Sequence, residues 1–156
     1  MVLLKWALNV SSFLQQSHTV EWTKFGGIAG RGVLLDYVAY AQRHGIKYNA
    51  YDRFTISVAD LDTMVAEQKV QLKVGDILLI RSGYVKWHDE STDQERVEGS
   101  KNIVFGGVES TMDAVEWIWN HHFSAVAGDS PSWEAMPPRG GFYLVPPLYF
   151  CATNAY

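Results

Sequence analysis

Apolar positions along the chain fall into short continuous runs and longer helical stripes, and their order sets out an architecture. Ile77, Leu78, Leu79 and Ile80 form a run behind a turn at Lys73, Val74, Gly75 and Asp76, the pattern of a parallel-sheet strand buried on both faces. Upstream, the glycine-rich stretch 26–32 permits positive φ and feeds Val33, Leu34 and Leu35. Periodicity fits strand and helix alike for so short a run; the expectation is a strand to Asp36, then a helix over 37–44 closed by Gly45. Ser57, with Asp60 three residues on, makes a capping-box start for a helix whose Val58, Leu61 and Val65 share a face. The polar interval 86–102 has little apolar periodicity and is expected to be a surface excursion. Ser110 with Asp113 repeats the cap pattern, and Val115, Ile118, Trp119 and His122 follow at helical spacing up to a short strand over 123–127.

Strand, helix, strand implies a right-handed crossover and parallel pairing, so the strands of Ile77 and Ala125 are expected side by side, with the helix of Trp117 over one face. Ligands of open α/β sheets gather beyond the carboxyl ends of the strands. That rule puts Arg81, Ser82 and Gly83 near Asp129, Ser130 and Ser132.

Composition narrows the partners. A chain of 156 residues, 47% hydrophobic and 19% charged, is balanced for one globular domain with a core. A net charge of -4 with scattered Lys and Arg argues against nucleic acid. No stretch approaches the ~20 apolar residues that span a bilayer. Lys5 interrupts the first apolar run and no clear small-x-small cleavage site follows, and the one cysteine, Cys151, excludes an intrachain disulfide; the expectation is a cytoplasmic protein.

Most chemical motifs fail on spacing. Gly27 and Gly32 are followed by Val33 where a phosphate loop needs Lys, and from Gly30 and Gly32 the dinucleotide pattern meets Leu35 where it needs Gly. His121 and His122 are adjacent and do not face each other on a helix, so one buried and one solvated ring is the expectation; His18, His44 and His88 are expected at the surface. Nothing basic near Cys151 lowers its thiol pKa. Arg81 could orient an anion through its planar fork, and Asp129 could serve as acid or base or could anchor a loop turn.

Four segments together, 26–36 (GGIAGRGVLLD), 75–84 (GDILLIRSGY), 107–111 (GVEST) and 117–134, resemble the "putative cyclase", kynurenine-formamidase-like family of fungal type. The resemblance implies a swivelling β/β/α fold, here an incomplete single α/β domain, and a zinc or manganese ion that activates water to hydrolyse a formamide or cyclic amide. Such a metal lowers the pKa of bound water towards ~7 and polarises the carbonyl. In that family the ligands come mainly from a His-x-x-x-His-x-Asp motif upstream of the glycine run, which residues 1–25 do not reproduce. Past Pro138 a family helix carrying a histidine gives way to a tail over 139–156 with Pro146 and Pro147.

The resemblance therefore describes a cyclase-like core over 26–138 between a divergent segment 1–25 and a divergent tail, as an internal piece of a longer protein. It implies an arylformamidase-like hydrolase of tryptophan catabolism by descent, inactive as this chain alone, or alternatively a non-catalytic interaction subunit. Arg81, Ser82, Gly83, Asp129, Ser130 and Glu134 are the pocket-lining candidates, and no metal ligand carries over. An aromatic amide or cyclic substrate, and a homo-oligomer or association with a fuller homologue, are the expected partners.

Overall fold

The computed structural model describes residues 29–101 and 104–139. His18, Cys151, the segment 1–25 and all of the tail but Arg139 lie outside the described residues. In chain order the elements are β1 (Gly32–Asp36), α1 (Tyr37–His44), β2 (Thr55–Ile56), α2 (Val58–Glu67), β3 (Ile77–Arg81), α3 (Tyr84–Glu90), α4 (Asp93–Ser100), β4 (Gly107–Val108), α5 (Met112–Asn120) and β5 (Ala125–Gly128). β1, β3 and β5 form an all-parallel sheet with β3 in the centre, and β2 pairs with β4, also in parallel. This is the α/β class that the order of elements predicts.

Local chemistry explains why the elements begin and end where they do. Asp36 closes β1 and opens α1 at once, its carboxylate accepting from the Ala39 amide at 3.0 Å. Gly45, at φ 66°, takes the left-handed conformation that ends the helix. Ser57 and Asp60 form the reciprocal capping box of α2. Leu61 and Met64 of α2 and Ala114 and Trp117 of α5 are buried with Leu35, Leu78 and Ile80 of the sheet, and Ile56 and Val108 of the small sheet join the same core.

Three expectations are corrected. β3 is not buried on both faces: Leu78 and Ile80 are buried, whereas Ile77 and Leu79 are half-buried, because the helices among the described residues pack on the side of Leu78 and Ile80. The interval 86–102 is largely helical, in α3 and α4, and the signal missed was Thr92, whose hydroxyl accepts from the Glu95 amide while the Glu95 carboxylate accepts from Thr92. Neither helix buries a residue, which is why no apolar stripe marks it. Finally, Thr111 and not Ser110 caps α5, and the buried positions are Ala114 and Trp117, while Trp119 is 58% exposed. His122 is exposed, as expected of the adjacent pair, whereas His121 is half-buried rather than buried and stacks on Phe123.

The turn into β3 is fixed by charge. Arg31 donates to both carboxylate oxygens of Asp76, at 2.8 and 2.6 Å, and the Lys73 amide donates to the same group at 2.7 Å. The Arg31 hydrogen bond holds the Asp76 carboxyl below its usual range against the opposing cost of burial. Stability from this group is fully present above the unfolded carboxyl pKa near ~3.9 and is lost as pH falls through the lower folded value. Asp76→Asn is therefore expected to lower the melting temperature at pH 7, with the gap to the parent closing as the pH is taken down through that value; thermal melts from pH 7 to pH 2 read it directly.

Candidate functional site

Because β3 and β5 run parallel, their carboxyl ends emerge together, and the residues just past them meet. Asp129, one residue beyond β5, accepts from the Ser82 amide at 2.5 Å and the Ser82 hydroxyl at 2.6 Å through one oxygen, and from the Gly83 amide at 2.9 Å through the other. The Ser82 carbonyl accepts from the Tyr48 hydroxyl at 2.8 Å, so both polar groups of this buried peptide unit are satisfied. Burial pushes the Tyr48 phenol up to about 12, with the charges of Asp129 and Asp36 adding to the rise, so it stays a neutral donor. Gly83 has φ 94°, and a Cβ there would lie 2.9 Å from Val38 Cγ2 and 3.2 Å from the Tyr48 hydroxyl; only glycine fits the bend.

Arg81, opposite Asp36 in the β1–β3 register, donates to its carboxylate at 2.8 Å. Its fork is thus part of the frame at the strand ends, although the side chain is 41% exposed. Ser130 turns away, buried and donating to the Gly106 carbonyl at 2.9 Å. Glu134 is buried beside β4, where Ser110 donates to it at 3.0 Å, and its backbone bridges Val108. The six sequence candidates therefore divide: Ser82, Gly83 and Asp129 form one hydrogen-bonded unit with Arg81 beside it, while Ser130 and Glu134 brace the β4 side. Sequence reasoning missed Asp36, Tyr48 and Ser110. Asp36 follows from pairing the ends of β1 and β3; Tyr48 sits in a loop with no periodic signal.

Two depressions flank the strand ends. One, of about 300 Å³, lies over Leu34, Leu79, Ala127 and Gly128, with Arg81 and Asp129 at its end. The other, an open groove of about 550 Å³, lies on the α1 side of Gly83 and is walled by Tyr48, Tyr51 and Trp87. Among the described residues no three His, Cys, Asp or Glu side chains gather to hold a metal ion. The carboxylates at the strand ends are already committed: Asp129 to three donors, Asp36 to Arg81 and the α1 amide. The described residues do not fit a zinc or manganese centre.

An all-parallel α/β sheet with a polar unit at its carboxyl ends defines a broad class of ligand-handling folds. The family model described as "Putative cyclase" matches residues 10–135, and the chain belongs to that cyclase family. The crystal structure of a novel cyclase matches with 35% sequence identity and a TM-score of 0.56, over 69% of this chain and 33% of its own. The chain thus spans about a third of the length of that solved structure. No curated protein matches.

Removing the Asp129 carboxylate strips three hydrogen bonds from a buried turn. Asp129→Ala is expected to cost about 2–4 kcal/mol, since bonds to a charged acceptor contribute ~1.5–3 kcal/mol each and are not additive. Urea unfolding of the two proteins measures the difference.

Proposed function

We propose that this chain descends from metal-dependent hydrolases of formamide or cyclic amide bonds, of the arylformamidase kind used in tryptophan catabolism, and that alone it does not catalyse the reaction. Family membership and the placement of the site at the strand ends support the descent. The observation that carries the second half is the state of the carboxylates: every oxygen of Asp129 and Asp36 already accepts from a donor of the protein itself. In an active relative, zinc or manganese would supply a hydroxide at neutral pH and polarise the amide carbonyl. Here the Ser82–Asp129 unit fixes the shape of the strand ends, and Arg81 lines them.

A second reading, a non-catalytic subunit in the cytoplasm that associates with a fuller homologue, is favoured by α5. Met112 and Trp119, seven residues apart and so on nearly one helical face, are 56% and 58% exposed. No helix among the described residues is long and apolar enough to cross a membrane.

The test is to titrate the metal-stripped chain with zinc and with manganese, measuring bound metal per chain and N-formylkynurenine hydrolysis in the same samples. The expected result is neither stoichiometric metal nor turnover. Stoichiometric metal with turnover would overturn the proposal.

A further inference from the structure

Between two fixed points of the chain lies a pair of helices that the core does not hold. Asp129 clamps the chain at Ser82 and Gly83. The chain is fixed again at Phe105, whose amide donates to the Met136 carbonyl at 3.0 Å while the Met136 amide donates back at 2.8 Å. α3 and α4 lie between these points. Neither buries a residue, and their valines, Val85 and Val97, are exposed. Among the described residues, two ring contacts lean on the rest of the fold: Trp87 on Tyr51, with centroids 4.9 Å apart, and Tyr84 on Phe105, at 6.4 Å. A part with so little buried apolar surface belongs at the low end of local stability.

The two helices are nevertheless fastened to each other. Trp87 reaches across to Gly99, where a Cβ would lie 2.7 Å from its ring. Arg96 donates to the His88 carbonyl at 2.8 Å, and the Ser91 hydroxyl donates to the Trp87 carbonyl at 2.6 Å. α3 and α4 therefore form one small body, hung from the glycine bend at Gly83 with its φ of 94°.

This body is one wall of the 550 Å³ groove, through Trp87, Glu90 and Glu95; the other wall is α1 and the loop after it, through Gln42, Lys47 and Tyr48. Ligand pockets are of this size, roughly 300–1,000 Å³, but enclose most of what they bind, whereas this groove stands open. The charges on its two walls are complementary. Lys47 makes no ion pair among the described residues. Glu90 is only loosely paired, 4.0 Å from Lys86, and the cap bonds of Glu95 fall on one of its two oxygens.

We propose that α3 and α4 are a lid: they swing together about Gly83 toward α1, bring Glu90 and Glu95 up to Lys47, and close the groove. Attraction between exposed charges is weak and screened by salt, which suits a reversible closure. The proposal stands independently of the reading of function above.

Nitrogen-15 relaxation dispersion on the full chain tests it. The amides of Trp87 in α3 and Arg96 in α4 are expected to share one exchange rate and one minor population, while those of Ile80 and Leu61 stay flat. Lys47→Glu, a change at an exposed position, is expected to lower that population about 1.5- to 5-fold, the range of one exposed ion pair, and Lys47→Arg to preserve it. Flat profiles in both helices, separate rates for the two, or a minor population indifferent to Lys47→Glu overturns the proposal.

Discussion

One carboxylate holds the carboxyl ends of the central and outer strands in place. Two parallel strands have no hairpin to tie their ends together, so the peptides beyond the last ladder bonds must find other partners or water. Asp129 supplies them: it gathers the Ser82 amide, the Ser82 hydroxyl and the Gly83 amide, and Tyr48 completes the Ser82 peptide from the loop after α1. The sharp bend at Gly83, with no room for a Cβ, turns the chain directly into α3.

Charge completes the frame at both ends of the sheet. At the carboxyl end Arg81 joins Asp36, which simultaneously caps α1, so one acid couples strand pairing to helix initiation. At the amino end Arg31 holds Asp76, whose carbonyl also accepts from the Ser124 amide ahead of β5. The three strands are thus fastened in register by buried or half-buried carboxylates, each satisfied by the protein. Carboxylates used this way stiffen a scaffold and are poorly disposed to ligate a metal.

Much of this frame was legible in the sequence, because it rests on local signals. The strand-to-helix switch at Asp36, the Gly45 stop, the Ser57–Asp60 box and the turn at Gly75 each depend on residues within a few positions of one another. The meeting of Ser82 and Gly83 with Asp129 followed from parallel topology, the one long-range rule that needs only the order of elements. What stayed hidden depends on tertiary packing. The run 77–80 looks uniformly apolar, and no count of its residues tells that the described helices bury Leu78 and Ile80 and leave Ile77 and Leu79 half-buried. Trp119 is as apolar as Trp117 on paper, yet the phase of α5, set by Thr111 as its cap, turns it outward. The polar helices α3 and α4 bury nothing, so no periodicity announces them, and only the Thr92–Glu95 box was there to be read.

The account stands or falls on the Asp129 clamp, and amide hydrogen exchange of the parent chain tests it most directly. The Ser82 and Gly83 amides lie beyond the strand ladder, and their partner in the described structure is this carboxylate. The account predicts that both exchange as slowly as the amide of Ile80 within β3. Exchange of Ser82 and Gly83 at the rate of an unprotected loop, with Ile80 still protected, would contradict it.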